Sequence, residues 1–322
     1  MSPSANVNTH YHNGNGGGHI SRPALAPGLY VPTVAFFHSD DSVDVETTTS
    51  HAVRLAKAGV AGLVTHGSNG EAVHLDHAER QLINQTTRAA LDSAGKSDLP
   101  LLVGCGAQST RETIQFCQEA GASGGNYALV LPPAYYGGLL TTDHILQHFR
   151  EVADASPIPI LIYNYPGACS GLDLNSDTII TLSKHQNIVG VKLTCGNTGK
   201  LARIAAATTP KKGDTGTPFH AGRRGHGIIG GTGNIAPLAC VKLMKLWDEG
   251  KLAEARELQA VVARGDWTAI QGGFVSVKAA LQEYYNYGGL PRKPCALLEG
   301  ERLFKQLDGF SELVAVETAL QK

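Results

Sequence analysis

The chain has 322 residues, 42% of them apolar and 17% charged, enough for one large folded domain or two ordinary ones with a sizeable core. Lys and Arg number 27 against 28 Asp and Glu, a net charge of −1, so nothing electrostatic argues for nucleic acid or an anionic membrane as partner. No apolar run reaches the ~18 residues of a transmembrane helix. The six cysteines (Cys105, Cys117, Cys169, Cys195, Cys240 and Cys295) form no CxxC pair and read as reduced thiols of a soluble, cytoplasmic protein.

Residues 1–27 are rich in Asn, Gly, His, Ser and Pro. They lack the apolar stretch of a signal peptide and the Arg-rich amphipathicity of a mitochondrial presequence. His10, His12 and His19 resemble a metal tract, but the composition reads first as a disordered tail outside the functional part.

From Gly28 the chain alternates short apolar runs with amphipathic stretches. The runs are Leu29–Phe37, Ala61–Gly67, Pro100–Gly106, Tyr127–Pro133, Ile158–Asn164 and Ile188–Thr194. Their Val, Leu and Ile content with little polar alternation predicts parallel strands buried on both faces. Helices are predicted over Val43–Gly59, His74–Gly95, Ser109–Ser123, Thr141–Ser156 and Asn175–His185. Strand starts recur at roughly thirty residues, the length of a βαβ unit. Six such units, with sequence left for more, predict an α/β fold of the (β/α)8 TIM-barrel type. A dinucleotide-binding sheet would want GxGxxG after an early strand, and Gly67-Ser68-Asn69-Gly70-Glu71 lacks that spacing.

The rhythm then breaks. Pro218–Gly222 and Gly227–Gly231 both look like barrel strands, yet only Arg223-Arg224-Gly225-His226 lies between them. A parallel crossover needs about a dozen residues, so the seventh βα unit is expected to be shortened. Further helices are predicted from Pro237 to Glu249 and over Lys251–Ala263, Val275–Tyr285 and Glu299–Leu320. The expected organisation is a tail over 1–27, a barrel over 28–245 and a C-terminal helical region over 246–322.

In such a barrel the site is built from the C-terminal ends of the strands. Lys192 sits inside the apolar run Ile188–Thr194. Burial there would depress its pKa and leave neutral amine able to attack a carbonyl and form a Schiff base. The competing reading is a strand-end lysine whose ammonium snorkels to water. The remaining lysines fall on helix faces, loops or termini and read mostly as surface charge. Tyr163 ends the preceding strand, so its phenol is either a proton shuttle beside that amine or an ordinary barrel tyrosine. Gly67, Ser68, Asn69 and Gly70 offer amide and hydroxyl donors suited to a carboxylate or phosphate, or are simply a turn. Glu71/His74 and Asp76/His77 lack HExxH spacing and a third ligand, so no metal is expected.

Together these residues resemble the dihydrodipicolinate synthase / N-acetylneuraminate lyase family of class I aldolases over roughly Gly28 to Gly300. The marks are Gly67–Glu71, the turn at Tyr135-Tyr136, Tyr163-Asn164-Tyr165-Pro166, Gly190-Val191-Lys192, Gly233–Pro237 and Val277–Leu281. The resemblance implies that Lys192 forms the Schiff base, that Tyr163 shuttles protons, and that Ser68 and Asn69, with their amides, hold a pyruvate carboxylate. It also implies that Tyr136 is a second relay tyrosine contributed across the interface of a homotetramer. No cofactor is implied beyond the covalent imine with a small 2-keto acid.

Family members that condense pyruvate with aspartate semialdehyde usually carry an arginine after Tyr-Asn-x-Pro. Here Gly167–Leu172 has none, which disfavours a dihydrodipicolinate synthase-type condensation. Tyr165-Pro166-Gly167 and Thr194–Leu201 are similar to the fungal L-threo-3-deoxy-hexulosonate (2-keto-3-deoxy-L-galactonate) aldolases. Ser170, Thr194 and Asn197 are then candidates to read a sugar-acid tail. A 4-hydroxy-2-oxoglutarate aldolase is the enzymatic alternative and needs a cation for the distal carboxylate. An inactive relative with a scaffold or regulatory role is the alternative that the shortened seventh unit motivates.

Overall fold

A computed structural model describes residues 25–209 and 227–322. Residues 1–24 of the expected tail and the expected strand Pro218–Gly222 lie outside the described residues. Leu25 is buried in the barrel interior, so the folded chain starts before Gly28.

Each remaining expected strand forms, over fewer residues than its apolar run. They are β1 (Gly28–Pro32), β2 (Gly62–Thr65), β3 (Leu101–Gly104), β4 (Tyr127–Val130), β5 (Ile160–Asn164), β6 (Ile188–Leu193) and β7 (Gly227–Ile229). All pair in parallel in the order β6-β5-β4-β3-β2-β1-β7, a nearly closed barrel that ends, among the described residues, at β6 and β7. The helices between them are α1 (Val45–Lys57), α2 (His77–Ser93), α3 (Thr110–Ala122), α4 (Thr142–Ala155), α5 (Ser176–Leu182) and α6 (Thr198–Thr208). Each begins at a side chain that accepts a first-turn N–H: Asp44, Asp76, Ser109, Thr141, Asn175 and Asn197. These caps stop the helices short of the strands and leave loops at the barrel's C-terminal face.

Alternation along the strands separates two cores. Leu63, Leu101, Val103, Ile160 and Ile162 face the helices, whereas Tyr30, Val64, Leu102, Leu161 and Tyr163 fill the barrel. Strand β6 breaks this alternation. Ile160 pairs with Ile188, but the next residue, Leu161, pairs with Gly190, so Val189 is an extra residue. Such a bulge shifts the facing of everything after it. Ile188 and Val191 both face the helices, and Lys192 lands opposite inward-facing Tyr163. Unbroken alternation from Ile188 would have put Lys192 among the helices.

After β7 the chain forms α7 (Pro237–Asp248), α8 (Leu252–Tyr285) and α9 (Gly300–Leu320). Helix α8 joins the two segments expected at Lys251–Ala263 and Val275–Tyr285, with a break at Gly273 (φ 62°, ψ −161°), a conformation open to glycine. Its second half packs with α9 against the extension of β1 through Val34, Phe36, Val277, Leu281 and Phe310. The C-terminal helices thereby reach the end of the barrel that carries the candidate residues. No helix among the described residues is long and apolar enough to cross a membrane.

Helix α7 has no cap of its own. Buried Glu317 of α9 replaces it, accepting from the Leu238 and Ala239 amides at 3.1 and 2.8 Å. Glu317→Ala is expected to cost about 2 kcal/mol of unfolding free energy, measured by urea denaturation. A loss below about 0.5 kcal/mol would show that α7 needs no such cap.

Candidate active site

The register of β5 and β6 places Lys192 directly beside Tyr163, with its Nζ 4.1 Å from the centre of the phenol ring. Lys192 lines a cavity of about 190 Å³ together with Thr194 and the apolar walls of Tyr30, Leu102 and Leu161. Removal from water in these surroundings lowers its pKa to about 8. Burial pushes Tyr163 the other way, up to about 12, against a smaller opposing influence of the nearby Thr194 and Ser68 hydroxyls. At neutral pH the site therefore holds a protonated phenol beside an amine with an accessible neutral form. Tyr165 stacks on Tyr163 at 5.7 Å and 21°, a neighbour that sequence reasoning did not place in the site.

The Gly67–Gly70 turn follows β2. His66 (φ 55°) and Glu71 (φ 50°) bracket it, both left-handed and neither a glycine. Gly70 N–H donates to Gly67 O at 3.0 Å and Glu71 N–H to Ser68 O at 3.3 Å, which closes the turn. Among the described residues the Ser68 and Asn69 amides donate to no backbone carbonyl. Arg80 of α2 holds the turn from behind, donating to Ala72 O and Gly104 O while its own carbonyl meets His66 Nε2 at 2.9 Å. Gly104 is required here because a Cβ would overlap the His66 carbonyl.

The structure thus brings together Lys192, Tyr163, Thr194 and Ser68. Asn69 is turned against Gly231, after the last strand. Tyr136 stands apart, exposed and edge-on to Tyr135 at 4.9 Å, beside a separate recess lined by Gln108, His144 and His148. Asn197 caps α6, and Ser170 sits exposed with φ 50° in the loop after β5. Asn164 pins that loop through Asp173 and the Leu174 amide.

One expectation from sequence needs correction. Lys278 and Lys200 are not surface charges: Lys278 is buried against Glu71 and Lys200 against Asp173. Their helix faces are covered, Lys278 by the turn after β2 and Lys200 by the loop after β5. The residues that resembled metal ligands carry structural contacts instead. Asp76 caps α2, and His77 meets Glu119 at 2.8 Å. Glu71 bonds Lys278, Arg292 and His74.

A family model described as the dihydrodipicolinate synthetase family matches residues 26–306. The chain belongs to this family. It is 55% identical over 306 residues to a protein of Emericella nidulans named "Probable 4-hydroxy-2-oxoglutarate aldolase, mitochondrial", covering 94% of this chain and 99% of that one. It is 45% identical over 320 residues to the L-threo-3-deoxy-hexylosonate aldolase of Hypocrea jecorina, covering 94% and 100%. Among solved structures, YagE of E. coli K12, a family member crystallised with pyruvate, superposes with a TM-score of 0.80 at 27% identity over 90% of this chain and 99% of that one.

The lowered Lys192 pKa sets a pH profile. The neutral fraction of its amine grows about tenfold per pH unit below that pKa and levels off above it. Imine formation with pyruvate, followed by stopped flow, is expected to rise from about pH 6 and flatten near pH 8. A rise that continues to the ordinary lysine value of 10.5 would contradict the burial of this amine. Gly104→Ala is expected to displace the His66 carbonyl and with it the turn, lowering kcat/KM by about tenfold or more. Unchanged steady-state kinetics would show the turn to be independent of β3.

Proposed function

We propose that the protein is a metal-independent class I aldolase that cleaves a 2-keto-3-deoxy-4-hydroxy acid to pyruvate and an aldehyde. The observation that carries this reading is the pairing of Lys192 with Tyr163 across β5 and β6, which sets Lys192 Nζ over the phenol ring. The neutral Lys192 amine attacks the C2 ketone, and Tyr163 protonates the departing hydroxyl as the carbinolamine loses water. The resulting phenolate takes the C4 hydroxyl proton. The C3–C4 bond then breaks, its electron pair flowing into the protonated imine to give an enamine and releasing the aldehyde. Protonation at C3 and hydrolysis return pyruvate and free Lys192. The open Ser68 and Asn69 amides are suited to the substrate carboxylate. No cofactor is needed for these steps.

L-threo-3-deoxy-hexulosonate, cleaved to pyruvate and L-glyceraldehyde, is the proposed substrate, and the 45% identical relative of that name supports it. Its tail is an uncharged polyol, which suits hydroxyl-bearing loops at Ser170 and Thr194. The name of the 55% identical relative favours a second reading, 4-hydroxy-2-oxoglutarate. That substrate needs a cation for its distal carboxylate, and among the described residues Lys200, a lysine next to these loops, is already taken by Asp173. The proposed assembly is a homotetramer, since Tyr135, Tyr136 and Leu139 form an exposed apolar cluster at the loop after β4. The proposed compartment is the cytoplasm.

Pyruvate release from the two acids, coupled to lactate dehydrogenase, tests the reading. The expected result is a higher kcat/KM for the sugar acid and loss of turnover with either acid in Lys192→Ala. Preference for 4-hydroxy-2-oxoglutarate would transfer the assignment to the second reading. Release of pyruvate by Lys192→Ala at the wild-type rate would refute the mechanism.

A further inference from the structure

The Gly67–Gly70 turn, read above as the carboxylate cradle, is gripped from the far end of the chain. Glu71 closes the turn, and its fully buried carboxylate accepts from Lys278 Nζ of α8 at 2.5 Å. The other carboxylate oxygen accepts from the Arg292 amide at 2.9 Å and lies 3.1 Å from His74 Nδ1. Lys278 also donates to Leu290 O at 2.7 Å, and its ammonium sits 4.8 Å from the centre of the Phe37 ring. The Arg292 side chain reaches back to the His74 carbonyl and to Glu79 of α2. One ion pair therefore joins the cradle to a helix outside the barrel, while the Arg292 amide fixes the orientation of the carboxylate's other oxygen.

A fold brace does not need its anion at this place. Glu71 adopts a left-handed backbone at the residue that ends the cradle, a conformation that persists where surrounding contacts enforce it. The charge-assisted bonds to Lys278 and Arg292 are those contacts. We infer that Glu71 and Lys278 are positioning residues for the substrate carboxylate, their buried ion pair holding the Ser68 and Asn69 amides in line with the Lys192 amine. This rests on the aldolase reading of the site, and it goes further in assigning part of pyruvate recognition to the C-terminal helices.

The test is borohydride trapping of wild type, Glu71→Gln and the double variant Glu71→Leu/Lys278→Met. The probes are pyruvate and hydroxyacetone, a ketone without a carboxylate. The double variant removes both charges, so neither is left buried and unpaired. The expected result is that the pyruvate concentration for half-maximal trapping rises about tenfold in both variants, while that for hydroxyacetone stays within about twofold of wild type. Equal losses with both ketones would overturn the inference and leave the pair a brace of the fold. Recovery of wild-type pyruvate trapping in the double variant would overturn it too. Absence of trapping in wild type would instead remove the Schiff-base reading, and this inference with it.

Discussion

One extra residue in β6 decides what this barrel can do. Val189 has no register partner on β5, and that step turns Lys192 from the helix layer into the barrel beside Tyr163. A lysine among the helices would need an anion or a path to water. Inside the barrel it lines an apolar cavity, where burial lowers its pKa without removing it from reach of a small ligand. The bulge couples backbone register to chemistry, as bulges beside functional sites often do.

The second component is a turn held in a costly shape. Two non-glycine residues with positive φ, His66 and Glu71, each carry about 1–2 kcal/mol of backbone strain. Charge-assisted bonds from Arg80 on one side and Lys278 on the other offset it, at about 1.5–3 kcal/mol for a hydrogen bond to a charged group. The turn is thus rigid because α2 and α8 both hold it. Ser68 is presented at the rim near Tyr163, so one short turn brings both a hydroxyl and the open amides to the site.

Much of this was legible in the sequence, for identifiable reasons. The apolar runs gave the strands and their order because parallel strands covered on both faces leave a strong compositional signal. Lys192 stood out as a charge inside such a run, and Tyr163 as the end of the neighbouring one. The bulge was not legible, because Ile188-Val189-Gly190-Val191 carries no mark of which residue lacks a partner. Lys278 was missed for a related reason. On a helix it looked like any solvated lysine, and only the packing of α8 on the turn after β2 shows it to be buried. Glu71 was read as part of a motif, but its partner lies more than two hundred residues away. Tyr136, which the resemblance implies is contributed across a subunit interface, lies exposed on its own chain beside a separate recess.

The proposed chemistry depends on Lys192 being a nucleophile rather than a buried structural cation. Sodium borohydride reduction of the wild-type protein in the presence of pyruvate, followed by peptide mass spectrometry, measures this most directly. A nucleophilic Lys192 gives a reduced pyruvyl adduct on the peptide that contains it and none when the pyruvate is omitted. Folded protein that gives no adduct, or an adduct confined to another lysine, would contradict it.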